Sequence, residues 1–145
     1  MLDKTLIGRE SETTVVEVEK GAIRRLADAL GDANPIHGDE EAARAAGFPS
    51  LAAPLTFPAV LSQNERFRHA LDLGTRSLLL GEESIEYGRP IVAGDRLTVK
   101  SKVADVQERA GTSGATDVLV LETEGRGPDG EFVFRTRETF ILRRG

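Results

Sequence analysis

The spacing of apolar and polar residues changes about halfway along the chain. In the first half, apolar residues recur at helical intervals from Lys20 to Leu30 and again from Phe57 to Leu71. In the second half, apolar and polar residues alternate, which is typical of strands with one buried face. The pattern predicts a short opening strand around Thr14, Val16 and Val18, followed after the helices by strands at Ser77–Tyr87, Arg96–Gln107, Asp117–Glu124 and Glu131–Leu142.

Capping residues mark the ends of the predicted helices. Gly31 follows the first helix at the position of a C-terminal cap. Asp39 is the expected N-cap of a short second helix, which Gly47 closes. Thr56 is predicted to cap the third helix, because Pro58 can occupy only the first turn of a helix.

Glycine-containing turns separate the predicted strands at 94–95, 111–114 and 128–130, and the last of these favours a hairpin. One long apolar helix followed by antiparallel strands predicts an α+β fold in which the sheet wraps around the helix. Residues 1–145 are expected to form a single domain, since this length is typical of one hydrophobic core.

Composition narrows the classes of function. The net charge of −5 argues against general nucleic-acid binding, and no apolar segment reaches a transmembrane length, so we expect no nucleic-acid and no membrane partner. Cysteine is absent, which excludes disulfides and thiolate chemistry and fits a cytoplasmic protein. The chain has two histidines, too few for a histidine-rich metal cluster, and no metal site is expected.

The densest group of candidate catalytic residues lies in the loop after the first helix. Asp32, Asn34 and His37 fall within six positions, and Pro35 stiffens the segment between them. An imidazole can give or take a proton near neutral pH, and a carboxylate can orient water or accept its proton, so the pair suits acid/base chemistry. The same residues are also common in loops that serve only as turns and helix caps, and for Asn34 before a proline that structural role is sufficient in itself.

Four fixed letters of this loop, together with flanking segments, resemble the MaoC-like dehydratases and (R)-specific enoyl-CoA hydratases. The resemblance rests on Asp32-x-Asn34-Pro35-x-His37 and on the Asp-Glu-Glu-Ala-Ala run at 39–43. Ala-Pro-Leu-Thr-Phe at 53–57 and Arg-Pro-Ile-Val-Ala-Gly-Asp at 89–95 are similar to segments of the FAS1-like dehydratase branch, which includes the mycobacterial HadA, HadB and HadC subunits. Nearly the whole chain is covered.

The resemblance implies a hot-dog fold and a hydro-lyase. The implied reaction converts an (R)-3-hydroxyacyl thioester reversibly to a trans-2-enoyl thioester and water, with coenzyme A or acyl carrier protein as the carrier and no further cofactor. The matching catalytic residues are His37, as the base that takes the α-proton, and Asp32, which protonates the departing hydroxyl. The two roles could also be coupled or reversed.

Substrate contacts are expected from Asn34 and from Pro54, Leu55, Thr56 and Phe57. Backbone N–H groups must stabilise the charge that develops on the thioester oxygen, and the three candidate donors are those of Leu55, Thr56 and Phe57, at the start of the central helix. Here the chain departs from the hydratases, which often carry His-Gly-Met at the start of the central helix. In the HadA-like branch, Pro-Leu-Thr-Phe occurs on a subunit that shapes the acyl channel without supplying the catalytic pair.

The resemblance implies assembly as a dimer. Since the chain keeps both Asp32 and His37, a homodimer is favoured over a heterodimer with another hot-dog subunit. The alternative function is a non-catalytic hot-dog subunit that binds acyl chains or pairs with a catalytic partner. A thioesterase is a third reading of the same fold, in which Glu65 would supply the carboxylate on the central helix.

Overall fold

Antiparallel strands form one twisted sheet in the computed structural model, which describes residues 1–62, 64–73 and 76–143. Within these residues the sheet has five strands, in the spatial order β1-β3-β4-β5-β2. In chain order they are β1 (Thr14–Glu17), β2 (Ser77–Tyr87), β3 (Arg96–Gly111), β4 (Gly114–Arg126) and β5 (Phe132–Arg143).

The predicted strands are confirmed, and the main difference is that the β3–β4 hairpin extends further than the alternating pattern. Pairing continues to Gly111 opposite Gly114, whereas the apolar pattern ends near Gln107. The reason is that the tip of this hairpin is exposed on both faces, so its ladder of backbone hydrogen bonds leaves no trace in the hydrophobic pattern.

Two of the predicted helices are confirmed with their caps. α1 spans Lys20–Leu30 and ends at Gly31, which adopts the left-handed conformation with φ +67°. α2 spans Glu40–Ala45, and the side chain of Asp39 accepts hydrogen bonds from the N–H groups of Glu41 and Ala42. Within the described residues, no helix is long and apolar enough to cross a membrane.

The predicted long helix is instead two short ones, α3 (Pro58–Leu61) and α4 (Asn64–Ala70). Ser62 ends α3 in an extended conformation, and its hydroxyl donates to the carbonyl of Ala59. This bond competes with continued helical pairing, as serine side chains commonly do. Residue 63 lies outside the described residues.

The prediction of Thr56 as N-cap is wrong, because the cap position belongs to Phe57, which makes no side-chain capping bond. The N–H of Phe57 donates to the carbonyl of Pro54 at 2.9 Å. Residues 54–57 therefore form a hydrogen-bonded turn, and the helix begins one residue later than the pattern indicated.

Among the described residues, two apolar clusters make up most of the core, one towards each end of the sheet's inner face. The first includes Ile23 of α1, Phe57 and Leu61, and packs on Val99 and Phe134. The second includes residues of α4 and the other ends of the strands, namely Phe67, Leu71, Val103, Leu121 and Phe140.

Between these clusters lies a buried polar layer, formed by Asn64, Ser101, Thr123, Thr136 and Glu138. Ser101, Thr123 and Thr136 occupy paired positions on β3, β4 and β5. The side-chain oxygen of Asn64 accepts hydrogen bonds from Ser101 at 2.8 Å and from Thr123 at 3.1 Å. Its side-chain nitrogen donates to Glu138 at 2.8 Å, so one α4 residue is bonded to three strands.

Glu138 is the titratable group of the polar layer. Burial raises the pKa of Glu138, and the carboxylate of Glu83 on the adjacent strand β2 raises it further. The hydrogen bond from Asn64 and the positive charge of Arg68 act in the opposite direction. The fold therefore disfavours the ionised form of Glu138.

Replacing Glu138 with glutamine should stabilise the protein at pH 7. Because the folded-state pKa of Glu138 is raised, wild-type stability is complete below the ordinary glutamate pKa of the unfolded chain and falls as the pH rises through the folded value. Glutamine removes the charge and keeps an oxygen for Asn64. Urea unfolding over a pH series should give Glu138→Gln the larger unfolding free energy at pH 7, with a difference that shrinks on acidification.

The matched control is Glu82→Gln on the exposed part of β2, which should follow the wild-type profile. A Glu138→Gln protein that is less stable than wild type at pH 7 would contradict the assignment.

Candidate active site

The candidate site begins where α1 ends. The N–H of Gly31 donates to the carbonyl of Asp28 at 3.1 Å, and the N–H of Asp32 donates to the carbonyl of Ala27 at 2.9 Å. This pair of bonds is a Schellman motif, which requires the left-handed conformation that glycine adopts readily. The motif turns the chain sharply and fixes the backbone of Asp32 at the end of a packed helix.

The carboxylate of Asp32 is bound locally as well. One oxygen accepts the backbone N–H of Asn34 at 3.0 Å. This hydrogen bond lowers the pKa of Asp32; desolvation opposes it, and the neighbouring imidazole of His37 lowers the pKa further. The side chain of Asp32 is 41% exposed, so it remains accessible to a ligand.

Asn34 supports the same loop. Its side-chain oxygen accepts the N–H of Ile36 at 3.2 Å and caps a single 3-10 turn at Pro35–His37. The structure thus gives Asn34 the structural role that the sequence left open.

The imidazole of His37 is 6% exposed, and one of its two nitrogens is bonded to the backbone. Its Nδ1 lies 2.6 Å from the carbonyl oxygen of Ala52. A carbonyl can only accept, so Nδ1 carries a proton and Nε2 is the nitrogen left for chemistry. Ala52 is itself fixed, because it pairs with Val92 in an isolated bridge and donates its N–H to the carbonyl of Ile36.

Nε2 of His37 lies 3.1 Å from the second carboxylate oxygen of Asp32, and the structure therefore brings the predicted pair together. With Nδ1 already protonated, a hydrogen bond at this distance requires one proton between Nε2 and Oδ2. The pair can therefore hold a single proton and exchange it across the contact. This is the arrangement needed to add a proton at one atom of a substrate and remove one at another.

The segment 54–57, predicted to bind substrate, does not line the same groove as this pair. The groove beside the pair is lined by Arg24, Ala27, Asp28 and residues 32–35 and 37–39. Leu55, which is 77% exposed, lines a second groove with Tyr87. Thr56 is exposed, whereas Pro54 and Phe57 are buried.

The turn at 54–57 leaves two N–H groups for a ligand. The N–H of Phe57 is engaged with Pro54, as described above. Across residues 1–62, 64–73 and 76–143, no acceptor is found for the N–H of Leu55 or of Thr56. Of the three candidates predicted to stabilise a thioester oxygen, these two remain.

Sequence reasoning missed two groups, the carbonyl that orients His37 and a side chain that binds the turn at 54–57. The Ala52 carbonyl belongs to the backbone, so the type of residue at position 52 could not predict its role. Tyr87 donates its hydroxyl to the carbonyl of Leu55 at 2.5 Å. Two features of the sequence could have drawn attention to Tyr87: it is the only tyrosine in the chain, and it is the last residue of a predicted strand.

Comparison with known proteins gives consistent matches. Residues 5–136 match the FAS1-like dehydratase domain region. A UPF0336 protein of Saccharopolyspora erythraea is 37% identical over 147 aligned positions, which cover 98% of this chain and 92% of that protein.

Among solved structures, the HadBC (3R-hydroxyacyl-ACP dehydratase) complex from Mycobacterium tuberculosis is similar with a TM-score of 0.80 and 27% identity, over 94% of this chain and 96% of that chain. A MaoC-like dehydratase is similar with a TM-score of 0.84 and 28% identity, over 94% of this chain and 42% of the larger one.

These similarities confirm the α+β hot-dog fold that the sequence predicted, with the antiparallel sheet as its main element. They extend from the N-terminal region through the candidate pair to strand β5. The chain therefore belongs to the FAS1-like dehydratase domain family.

Proposed function

We propose that this protein is a hydro-lyase that interconverts (R)-3-hydroxyacyl and trans-2-enoyl thioesters. The observation that carries the proposal is the 3.1 Å contact between His37 Nε2 and Asp32 Oδ2, with Nδ1 of the same ring committed to Ala52. Membership of a dehydratase family supports the reaction class. The name HadBC (3R-hydroxyacyl-ACP dehydratase) supports acyl thioesters as the substrate class.

In the hydration direction, the cycle starts with Asp32 ionised and a proton on His37 Nε2. A water molecule attacks the β-carbon of the enoyl thioester, and its proton passes to the carboxylate of Asp32. Nε2 of His37 gives its proton to the α-carbon. The proton on Asp32 then crosses the 3.1 Å contact to His37, which restores the starting state.

Dehydration is the reverse. Neutral His37 takes the α-proton, and Asp32 protonates the departing hydroxyl to water. Both directions require stabilisation of negative charge on the thioester oxygen, for which the backbone N–H groups of Leu55 and Thr56 are the proposed donors. Pro54 and Phe57 are proposed to act by shaping that turn.

The chemistry proposed needs no metal and no redox cofactor, because every proton it moves is carried by the two side chains. Coenzyme A or acyl carrier protein enters as the carrier of the substrate. The proposed location is the cytoplasm, which rests on the absence of cysteine from the sequence.

The thioesterase reading finds less support. Glu65, its candidate, is exposed on α4, and it is the adjacent Asn64 that faces the sheet, where it bonds to Glu138. No observation favours it over the hydro-lyase.

Crotonyl-CoA hydration tests the proposal directly, followed as loss of enoyl absorbance. Asp32→Asn and His37→Gln should each reduce kcat by about a hundredfold or more, the usual contribution of a general acid or base. Asp72→Asn makes the same chemical change outside the groove and keeps a residue that tolerates the positive φ found there, so it should retain full activity.

Thermal melts of each variant separate loss of catalysis from loss of folding. Folded Asp32→Asn and His37→Gln proteins with wild-type rates would contradict the proposed pair. A wild type inactive on short and long enoyl thioesters of both carriers would favour the non-catalytic subunit, and release of free thiol would favour a thioesterase.

We further propose that the protein forms a homodimer through the free edge of β2. Within the part of the chain that the structure describes, this eleven-residue strand pairs with β5 on one side and has no strand partner on the other. Long unpaired edges are templates for pairing with another chain. Leu79 and Leu80 on this strand are about half exposed, at 51% and 53%. The related HadBC structure is a complex of subunits, which supports assembly in pairs.

Lysines at both positions (Leu79→Lys with Leu80→Lys) should convert the dimer to a monomer, because charge on an edge strand opposes strand pairing. Analytical ultracentrifugation measures the change. The matched control is Val15→Lys on the opposite edge strand β1, where the side chain is also 51% exposed and the dimer should persist. A monomeric wild type would instead favour a heterodimer with another hot-dog subunit.

A further inference from the structure

Tyr87 makes a hydrogen bond that neither the fold nor the catalytic pair explains. Its hydroxyl, at the end of β2, donates to the carbonyl oxygen of Leu55 at 2.5 Å. The ring is half-buried and packs against the first apolar cluster, so the hydroxyl is held in place by the core. Burial raises the pKa of Tyr87 to about 12, and the hydroxyl therefore remains a donor throughout the neutral pH range.

The carbonyl that Tyr87 binds shares a peptide group with the N–H of Thr56. A trans peptide is planar, with its C=O and N–H directed to opposite sides, and the described residues contain no cis peptide. A hydrogen bond that fixes the Leu55 carbonyl toward Tyr87 therefore fixes the Thr56 N–H in the opposite direction. The bond also polarises the peptide group, which strengthens the N–H as a donor.

The backbone N–H groups of Ala53 and Phe57, which flank the Leu55–Thr56 peptide, are already bonded within the protein. The Phe57 side chain is fully buried, and the N–H of Phe57 is bonded to Pro54. On the other side, Ala53 donates its N–H to the carbonyl of Ile91. The N–H of Thr56 has no acceptor among the described residues, and Thr56 is exposed.

The same backbone segment also holds the catalytic imidazole. Ala52, whose carbonyl binds His37 Nδ1, lies three residues before Leu55. One short segment thus carries the group that orients the base and the peptide that Tyr87 orients.

We propose that Tyr87 is a positioning residue for the hydro-lyase reaction, acting by aiming and polarising the Leu55–Thr56 peptide so that the Thr56 N–H binds the thioester oxygen of the substrate. The inference rests on the proposed function. It assigns Tyr87 no contact with substrate, and its whole effect passes through the Thr56 N–H.

The test is the absorbance of bound cinnamoyl-CoA, whose conjugated chromophore moves to longer wavelength when its carbonyl oxygen accepts a strong hydrogen bond. The measurement uses the Asp32→Asn background to prevent turnover. Tyr87→Phe should reduce the shift by at least half. With crotonyl-CoA and Asp32 intact, it should lower kcat by about tenfold or more and change KM by less than about threefold, because a donor that acts on the developing charge affects the transition state most.

The matched control is Thr116→Val, which removes another hydroxyl-to-carbonyl hydrogen bond, to Arg109 at 3.4 Å, in the β3–β4 hairpin. It should leave the shift and kcat unchanged. Because the chain has a single tyrosine, growth on 3-fluorotyrosine labels Tyr87 alone. This stronger donor keeps the shape of the side chain and should enlarge the spectral shift, which provides a test even where Tyr87→Phe folds poorly.

These experiments separate the role of Tyr87 from the hydro-lyase activity. An active wild type whose spectral shift and kcat are unaffected by Tyr87→Phe and by fluorotyrosine overturns the role of Tyr87 and leaves the hydro-lyase in place. A wild type that binds cinnamoyl-CoA with a Tyr87-dependent shift but hydrates no thioester removes the function and supports the positioning of the peptide. Absence of any shift in wild type overturns the inference.

Discussion

The hydrogen bond between His37 Nδ1 and the carbonyl of Ala52 is the interaction on which the candidate site depends. It decides which nitrogen of the ring faces Asp32, and it anchors a loop after α1 to a segment that is paired with Val92. Without it either nitrogen of the ring could carry the proton, so the direction of proton transfer across the 3.1 Å contact with Asp32 would not be defined. The backbone carbonyl of Ala52 thus fixes the orientation of the His37 ring, and the carboxylate of Asp32 is its second hydrogen-bond partner.

Much of the fold could be predicted from the sequence because its elements have one buried face each. The bounds of α1 and of β2 follow from periodicity and from Gly31, and the structure agrees with both. The central helix was mispredicted because α3 and α4 carry one continuous apolar stripe, while the break at Ser62 depends on a local hydroxyl bond that periodicity does not register. Asn64 has the spacing of that stripe, and its polar partners come from strands more than thirty residues away.

The sequence likewise predicts some groups of the candidate site and not others. Asp32 and His37 were found because they are close in sequence and because acid/base chemistry needs their side chains. The Ala52 carbonyl and the Leu55 carbonyl were not found, since every residue has a carbonyl and only tertiary structure selects the two that matter. For the turn at 54–57, the resemblance to known dehydratases gave the location, and the structure added which of its N–H groups are engaged.

The polar layer between the two core clusters has a consequence for how the strands choose their alignment. Alternation alone permits β5 to slide by two residues along β4, because such a slip leaves every side chain on the same face of the sheet. In a slipped sheet, however, Thr123 would face Phe134 or Glu138 in place of Thr136, and the partners of Asn64 would no longer meet. The ring of Phe134, which fills the space over Gly125, would also lose its place. The buried polar groups therefore select one strand register. In an entirely apolar interior, registers that differ by two residues would have nearly equal free energies.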